Sequence, residues 1–414
     1  MIERVLFLEL RKHLTQKEIS FIAGPRQAGK TTLMFLLKGY LDKKGEKTLF
    51  LNLDIETDKE YFVSQEALIK KIELELGKAK GFVFIDEIQR KQDAGLFLKG
   101  IYDMNLPYKF IVSGSGSVEL KEKIHESLAG RKRIFELSTL SFEEFINFKT
   151  QYKYKDKLTE FFIIEKAKTE LLLEEYLNFG GYPRVVLGEE LAEKQRLIGE
   201  IYQSYIERDI SYLLRVNKTE AFSSLVKLIS AQTGNMANFS ELSSTLGISA
   251  KTVKDYLWYM EKTFIIQRIN PYFRNIRKEI VKSCVYYFYD LGLRNFAIGE
   301  FGRLKDKGFV FQNLICNLLR EKLKDTSAKI CFWRTKDKAE VDFVVDVGKE
   351  IIPVEVKYKK MASIEIKRSL RSFIEKYAPQ KAFVVNLSLE AEANFRGTKI
   401  HIIPFYKIAS AVEQ

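Results

Sequence analysis

The stretch Ile19-Ser20-Phe21-Ile22-Ala23-Gly24-Pro25-Arg26-Gln27-Ala28-Gly29-Lys30-Thr31-Thr32 decides the reading of this chain. Residues 19–23 read as a short strand. Residues 24–31 match the G-x-x-x-x-G-K-[ST] phosphate loop. Residues 32–37, Thr-Leu-Met-Phe-Leu-Leu, read as the helix that follows. A polyanion needs backbone N–H groups curled around it, and glycines permit that curl. The helix N-terminus adds its own field. Gly24, Pro25, Arg26, Gln27, Ala28, Gly29, Lys30, Thr31 and Thr32 are therefore the expected cradle for ATP. In that chemistry Lys30 reaches the β- and γ-phosphates, and the Thr31 hydroxyl holds Mg²⁺.

Working outward, Gly81-Phe82-Val83-Phe84-Ile85-Asp86-Glu87 is an apolar run that ends in two acids. A buried parallel strand has this pattern, with function at its carboxyl end. Asp86 is expected near Mg²⁺, and Glu87 is expected to orient or deprotonate the attacking water. Thr48 to Asp54 reads as a further strand, which makes a parallel α/β sheet. Tyr108 to Ser115 reads as another. Ser113 or Ser115 at its end is a candidate contact for the γ-phosphate or the lytic water; Ser-Gly is also an ordinary turn signal. Arg131 and Arg133 precede the strand-like Ile134 to Leu137. Either is a candidate arginine finger, acting in cis or from a neighbouring chain, or part of a charged rim.

The 414 residues carry 68 Lys+Arg against 55 Asp+Glu, a net charge of +13, with 46% hydrophobic residues. That excludes a disordered polycation. Three cysteines exclude a disulfide scaffold and suit a reducing cytoplasm. No apolar run approaches the roughly 20 residues of a membrane helix. The charge is uneven. Residues 1–210 hold 34 basic and 34 acidic residues, and residues 211–414 hold 34 and 21. The whole excess lies in the second half, which points to nucleic acid or an anionic surface.

In that half, Phe239-Ser240-Glu241-Leu242 opens a short helix, Leu246-Gly247-Ile248-Ser249 reads as a turn and Lys251 to Trp258 as a second helix; together they read as a helix-turn-helix, with Phe264 to Ile269 as a possible wing. Lys251, Thr252 and Lys254 are its exposed candidates for DNA contact; packing against the rest of the protein is the other reading. Further on, Asp342 lies on one strand and Glu355-x-Lys357 on the next. Residues i and i+2 of a strand share a face, so Glu355 and Lys357 point together. Asp342 is positioned to meet Glu355 across the pair. Two carboxylates with a lysine make a second candidate Mg²⁺ site with a base beside it. His13, His125 and His401 are widely spaced and offer no zinc pattern.

GPRQAGKTTL, VFIDEIQR, IVSGSG, LAGRKRIFEL followed by LSFEEF, FGGYPRVV, YIERDI, NPYFRN and FWRTKDKAEVDFVV occur in that order. The series resembles the prokaryotic AAA-type ATPase family that joins an N-terminal P-loop domain to a C-terminal DUF4143, restriction-endonuclease-like domain. The resemblance covers nearly the whole chain. It implies an α/β protein: a P-loop AAA-like core, a helical segment, a winged-helix module and a nuclease-like α/β domain. The expected boundaries are 1–150, 151–213, 214–280 and 281–414. Arg184, in the loop after Gly181, is a candidate nucleotide sensor or a structural residue. Related proteins place Glu on the first helix of the last domain, where this chain has Gln312. That departure weakens a metal site, because Mg²⁺ favours carboxylates. The leading expectation is a cytoplasmic, Mg²⁺-dependent ATPase coupled to DNA binding or remodelling, with a homo-oligomer as a candidate assembly. An ATP-gated DNA endonuclease and a nucleotide-switched protein-interaction or sensor module are the alternatives.

Overall fold

The computed structural model describes residues 2–115, 128–205, 219–273 and 283–412. His125 and residues 206–210 lie outside them. Strands β1 (Ile19–Gly24), β2 (Thr48–Asn52), β3 (Gly81–Asp86), β4 (Tyr108–Ser115) and β5 (Lys132–Glu136) form one sheet in the order β2-β3-β4-β1-β5. Every pairing in it is parallel. Parallel neighbours need crossovers, which helices supply. Here they are α2 (Lys30–Asp42), α3 (Gln65–Leu76) and α4 (Ala94–Asp103), with α1 (Leu6–His13) ahead of the first strand.

The period of two along each strand sorts the core. Ile22, Phe82, Phe84, Ile111 and Phe135 pack with Leu10, Leu33 and Leu37 of α1 and α2. Phe21, Val83, Ile85, Phe110 and Val112 pack on the other face with Leu68, Ile72, Leu98 and Ile101 of α3 and α4. β1 and β3 are buried at every position. That accounts for their near-continuous apolar sequences. Because β4 lies between β1 and β3, the ends of the phosphate-loop strand and the acidic strand flank Ser113.

A helical stretch follows: α5 (Phe142–Lys149), α6 (Leu158–Ile164), α7 (Lys166–Phe179), α8 (Pro183–Leu187) and α9 (Leu191–Ser204). Ser141 and Glu144 form a capping box at the start of α5. Phe142, Phe145 and Tyr176 share one core with Phe343, Val354 and Phe383 of the C-terminal sheet. Between α7 and α8, Gly180 has φ 71°, and a Cβ on Gly181 would stand 2.3 Å from the Leu140 carbonyl oxygen. The Gly-Gly pair is required by that close approach. Next come α10 (Thr219–Ala231), α11 (Phe239–Leu246) and α12 (Ala250–Lys262). The turn between the last two has Gly247 at φ 61°, and the Asn238 and Ser249 side chains cap the two helices.

The C-terminal sheet comprises β6 (Ile266–Pro271), β7 (Val285–Phe288), β8 (Lys329–Arg334), β9 (Glu340–Asp346), β10 (Ile351–Val356), β11 (Lys381–Asn386), β12 (Ala391–Phe395) and β13 (Thr398–Pro404). Its order is β12-β13-β11-β10-β9-β8-β6-β7. The strand expected as a wing is β6, which is built into this sheet between β7 and β8, so the strand pair spans residue 280. Helix α13 (Leu291–Ala297) leads to α14 (Lys307–Leu323), and α15 (Arg368–Tyr377) follows β10. Phe311, Leu314 and Ile315 of α14 cover one sheet face. Leu370, Phe373 and Ile374 of α15 cover the other. Among the described residues no helix is long and apolar enough to cross a membrane.

Candidate functional site

The phosphate loop turns on two residues of positive φ, Gln27 at 56° and Gly29 at 95°. At Gly24 a Cβ would stand 2.0 Å from the Leu137 carbonyl oxygen, so the loop can leave β1 there only as glycine. Lys30 opens α2, is 6% exposed, and donates to the carbonyl oxygens of Gly24 (3.1 Å) and Pro25 (2.8 Å).

Thr31 Oγ1 donates to Asp86 Oδ2 at 2.7 Å. Ser113 Oγ donates to Asp86 Oδ1, which also accepts from the Glu87 backbone N–H at 3.1 Å. Asp86 is fully buried. A hydroxyl and a carboxylate, both hard oxygen donors, thus face each other at the mouth of the loop, a donor set that fits Mg²⁺. Glu87 adopts a left-handed conformation, φ 55° and ψ 41°, which is uncommon for a side-chain-bearing residue. Its carboxylate accepts a bond from the Gln89 amide. Burial pushes the Glu87 carboxyl above the ordinary carboxylate range, against the pull of the Lys30 ammonium.

Lys30, Thr31 and Glu87 border a cleft of about 530 Å³, lined on the loop side by Arg26 to Leu33 and on the other by Pro183, Arg184 and Leu187. Ile2 and Leu36 add apolar surface. Arg184 Nη1 donates to Gln27 Oε1 at 3.0 Å and pairs with Glu200 at 3.2 Å, so α8 is tied directly to the phosphate loop.

Arg131 and Arg133 are not brought to this cleft. Ile19 pairs with Lys132 and Ser20 with Arg133, so both arginines stand at the opposite end of the sheet from Gly24. Five strand residues span roughly 16 Å. Arg131 instead holds Asp103 through Nε at 2.7 Å and Nη2 at 3.3 Å. Arg133 lies over the Phe135 ring. The expectation of a finger in cis is corrected accordingly.

One residue escaped the sequence reading. The Arg4 side chain is 7% exposed and donates to the carbonyl oxygens of Ala28 (2.9 Å) and Ser138 (2.7 Å) and to Glu144 Oε2 (3.0 Å). It braces the phosphate loop from behind. No local pattern marks it, because its partners lie 24 to 140 residues away.

In the C-terminal sheet Asp342 and Glu355 do converge, and burial with the Glu355 charge pushes the Asp342 carboxyl well above the ordinary carboxylate range. Gln312 joins them: its Nε2 donates to Asp342 Oδ1 at 2.9 Å. Asp342 Oδ2 accepts from the Val356 N–H at 2.6 Å. Lys357 turns to the Glu365 carbonyl oxygen at 2.9 Å. The Glu355 carboxylate is fully buried and meets the Lys367 ammonium. These partners do not fit a divalent ion: an amide N–H and an ammonium occupy the acids where oxygen ligands are needed. Among the described residues no group of three His, Cys, Asp or Glu side chains is arranged to hold a metal. On α12, Lys251 and Lys254 are exposed, while Thr252 hydrogen-bonds the Ser249 cap.

Three stretches match known families. Residues 16–146 match an AAA domain, residues 170–303 a domain of unknown function, DUF8612, and residues 307–408 a second, DUF4143. The chain therefore carries an AAA-type P-loop domain at its N-terminus and a DUF4143 domain at its C-terminus. An uncharacterized protein of Haemophilus influenzae is 25% identical over 82% of this chain and 82% of its own length. One of Methanocaldococcus jannaschii is 24% identical over 98% and 91%. One of Mycobacterium tuberculosis is 26% identical over 88% and 75%. Relatives thus occur in bacteria and archaea. Among solved structures, the Aeropyrum pernix Orc1 protein in complex with DNA aligns with 73% of this chain and 94% of its own at 11% identity, with a TM-score of 0.33. That likeness is too distant to carry an argument.

Proposed function

We propose that the chain is a Mg²⁺-dependent ATPase whose nucleotide state is passed to a basic C-terminal half that engages DNA. The observation that carries the first part is the meeting of Thr31, Ser113 and Asp86 beside Glu87 at the mouth of the phosphate loop. ATP enters with its phosphates on the loop N–H groups, and Lys30 exchanges the Gly24 and Pro25 carbonyl oxygens for phosphate oxygens. Thr31 and Asp86 are the residues that would hold Mg²⁺, which supplies charge neutralisation between the phosphates when bound. The base lies in the cleft wall: with its raised affinity for protons, Glu87 takes one from the attacking water. Pro183 and Leu187, with Ile2 and Leu36, offer the apolar contact a nucleobase needs.

Coupling follows from connectivity. Arg184 touches the loop through Gln27, and its helix is joined by Gly180 and Gly181 to α7. Asp290, the N-cap of α13, accepts from the Gly181 N–H at 2.8 Å. A movement of α8 on nucleotide exchange therefore acts on the C-terminal half. DNA is favoured as its partner by the charge division, with the net +13 confined to residues 211–414. Turnover and DNA affinity measured on one preparation, with and without branched DNA, test this reading. Turnover that responds to DNA supports the coupling. Slow turnover with no DNA affinity at low salt would favour a nucleotide-switched interaction module instead.

A further inference from the structure

The Asp342–Glu355 cluster has its own cation. Glu355 sits on β10 with its carboxylate out of reach of solvent, and among the described residues Oε2 has no hydrogen-bond partner. Burying a carboxylate without compensation is costly enough that a cation or a proton must answer it. The Lys367 ammonium supplies that charge at Oε1. Lys367 is the N-cap residue of α15, and its side chain is 54% exposed along its length, so its stem reaches inward from the surface.

The segment that carries it is tied down. Lys357 donates to the Glu365 carbonyl oxygen at 2.9 Å, and Lys359 pairs with the Glu365 carboxylate at 2.6 Å. These bonds hold residues 357–367 as a strap across the end of β10. The other acids of the cluster are likewise answered from within the chain. Glu340 pairs with Arg334 at 3.3 Å, and Asp342 accepts from Gln312 and from the Val356 backbone. Each member is fixed by a neighbour, which gives the pocket one resident state.

We infer that Lys367 is the built-in counter-cation of this pocket and that its ammonium keeps divalent ions out. Lys367 and a divalent ion compete for the same Glu355 carboxylate. Removing the ammonium leaves a buried pair of carboxylates, Glu355 and Asp342, with the Gln312 side chain beside them. That set attracts a hard divalent cation far better than the native one does.

The test uses the full-length, nucleotide-free chain and Mn²⁺ alone as probe, followed by its electron paramagnetic resonance signal. Asp342→Asn identifies the ions that depend on this pocket. The wild type is expected to show no Asp342-dependent Mn²⁺. Lys367→Met is expected to gain one such ion, bound at least tenfold more tightly than any in the wild type, and to lose it again when combined with Asp342→Asn. Its thermal midpoint is expected to rise with Mn²⁺, while that of the wild type does not. Lys367→Gln, shorter and uncharged, serves if the Met variant does not fold, and the same gain is expected. An Asp342-dependent Mn²⁺ in the wild type would overturn the inference. So would a folded Lys367 variant that binds none.

Discussion

Arg4 offers the sharpest energetic test of how the phosphate loop is held. Replacing it by Met keeps much of the volume and removes the guanidinium. The change strips donors from the Ala28, Ser138 and Thr139 carbonyl oxygens and leaves Glu144 buried without its cation. Breaking a buried ion pair from one side costs about 3–5 kcal/mol. Glu144 keeps the Val5 and Ser141 N–H groups, at 2.8 and 3.1 Å, which sets the expected loss at the lower end, about 3 kcal/mol. For a unit of this size that lowers the midpoint of thermal unfolding by roughly 6–12 °C. Because Ala28 lies in the loop itself, ATP affinity is expected to fall with it. Urea unfolding gives the free energy, and a fluorescent ATP analogue gives the affinity. Adding Glu144→Gln to Arg4→Met should recover part of the loss, since Gln still serves a capping box and no charge is then stranded. An Arg4→Met protein within about 1 kcal/mol of wild type would refute the bracing role, because that is the span of an exposed pair. A double variant weaker by the full sum of the single losses would refute the coupling of the two side chains.

Lys30→Ala is expected to abolish nucleotide binding, read by equilibrium titration, while the unfolding midpoint shows the fold retained. The pH profile of turnover should have its acidic limb above the ordinary carboxylate value of about 4.3, because Glu87 must lose a proton that burial helps it keep; a limb at or below that value would contradict the assignment. Asp290 is buried, and desolvation raises it to about 6, so the folded state binds its proton more tightly than the unfolded chain does. Its contribution is therefore full below about pH 4 and is lost as pH rises through 6, a fall of order 3 kcal/mol. Urea unfolding between pH 4 and 7 should show a shallower decline in Asp290→Asn than in wild type. Lys251→Ala and Lys254→Ala should each weaken DNA binding about equally across sequences and reduce the salt slope by about 1, measured by fluorescence anisotropy.

What was legible in the sequence, and what was not, divides by range. Residues 19–31 carry a strand, a turn of special backbone geometry and a helix start within thirteen positions, so local pattern suffices to place Lys30 and Thr31. Asp86 is legible for the same reason, as the polar end of a buried strand. Strand order is not local. That β4 stands between β1 and β3 determines which serine meets Asp86, and neither strand's composition encodes its neighbours. Arg131 shows the limit most clearly. A basic cluster near a strand looks the same at either end of a sheet, and only the register Ile19–Lys132 puts it at the end away from the loop. Arg4 and Lys367 went unread because each acts through a single long side chain reaching a distant partner. The segment expected as a wing has the right strand character, but its membership of the C-terminal sheet depends on pairing with β8, some sixty residues on.

The account rests on the cleft beside Asp86 being a site of ATP hydrolysis with Glu87 as its base, and single-turnover hydrolysis of labelled ATP in the presence of Mg²⁺ tests that most directly. Wild type is expected to convert one bound ATP per chain. Glu87→Gln is expected to bind ATP with unchanged affinity and to hydrolyse it about 10²–10⁴-fold more slowly, so that intact ATP is recovered from the complex. Hydrolysis by Glu87→Gln at the wild-type rate would contradict the account.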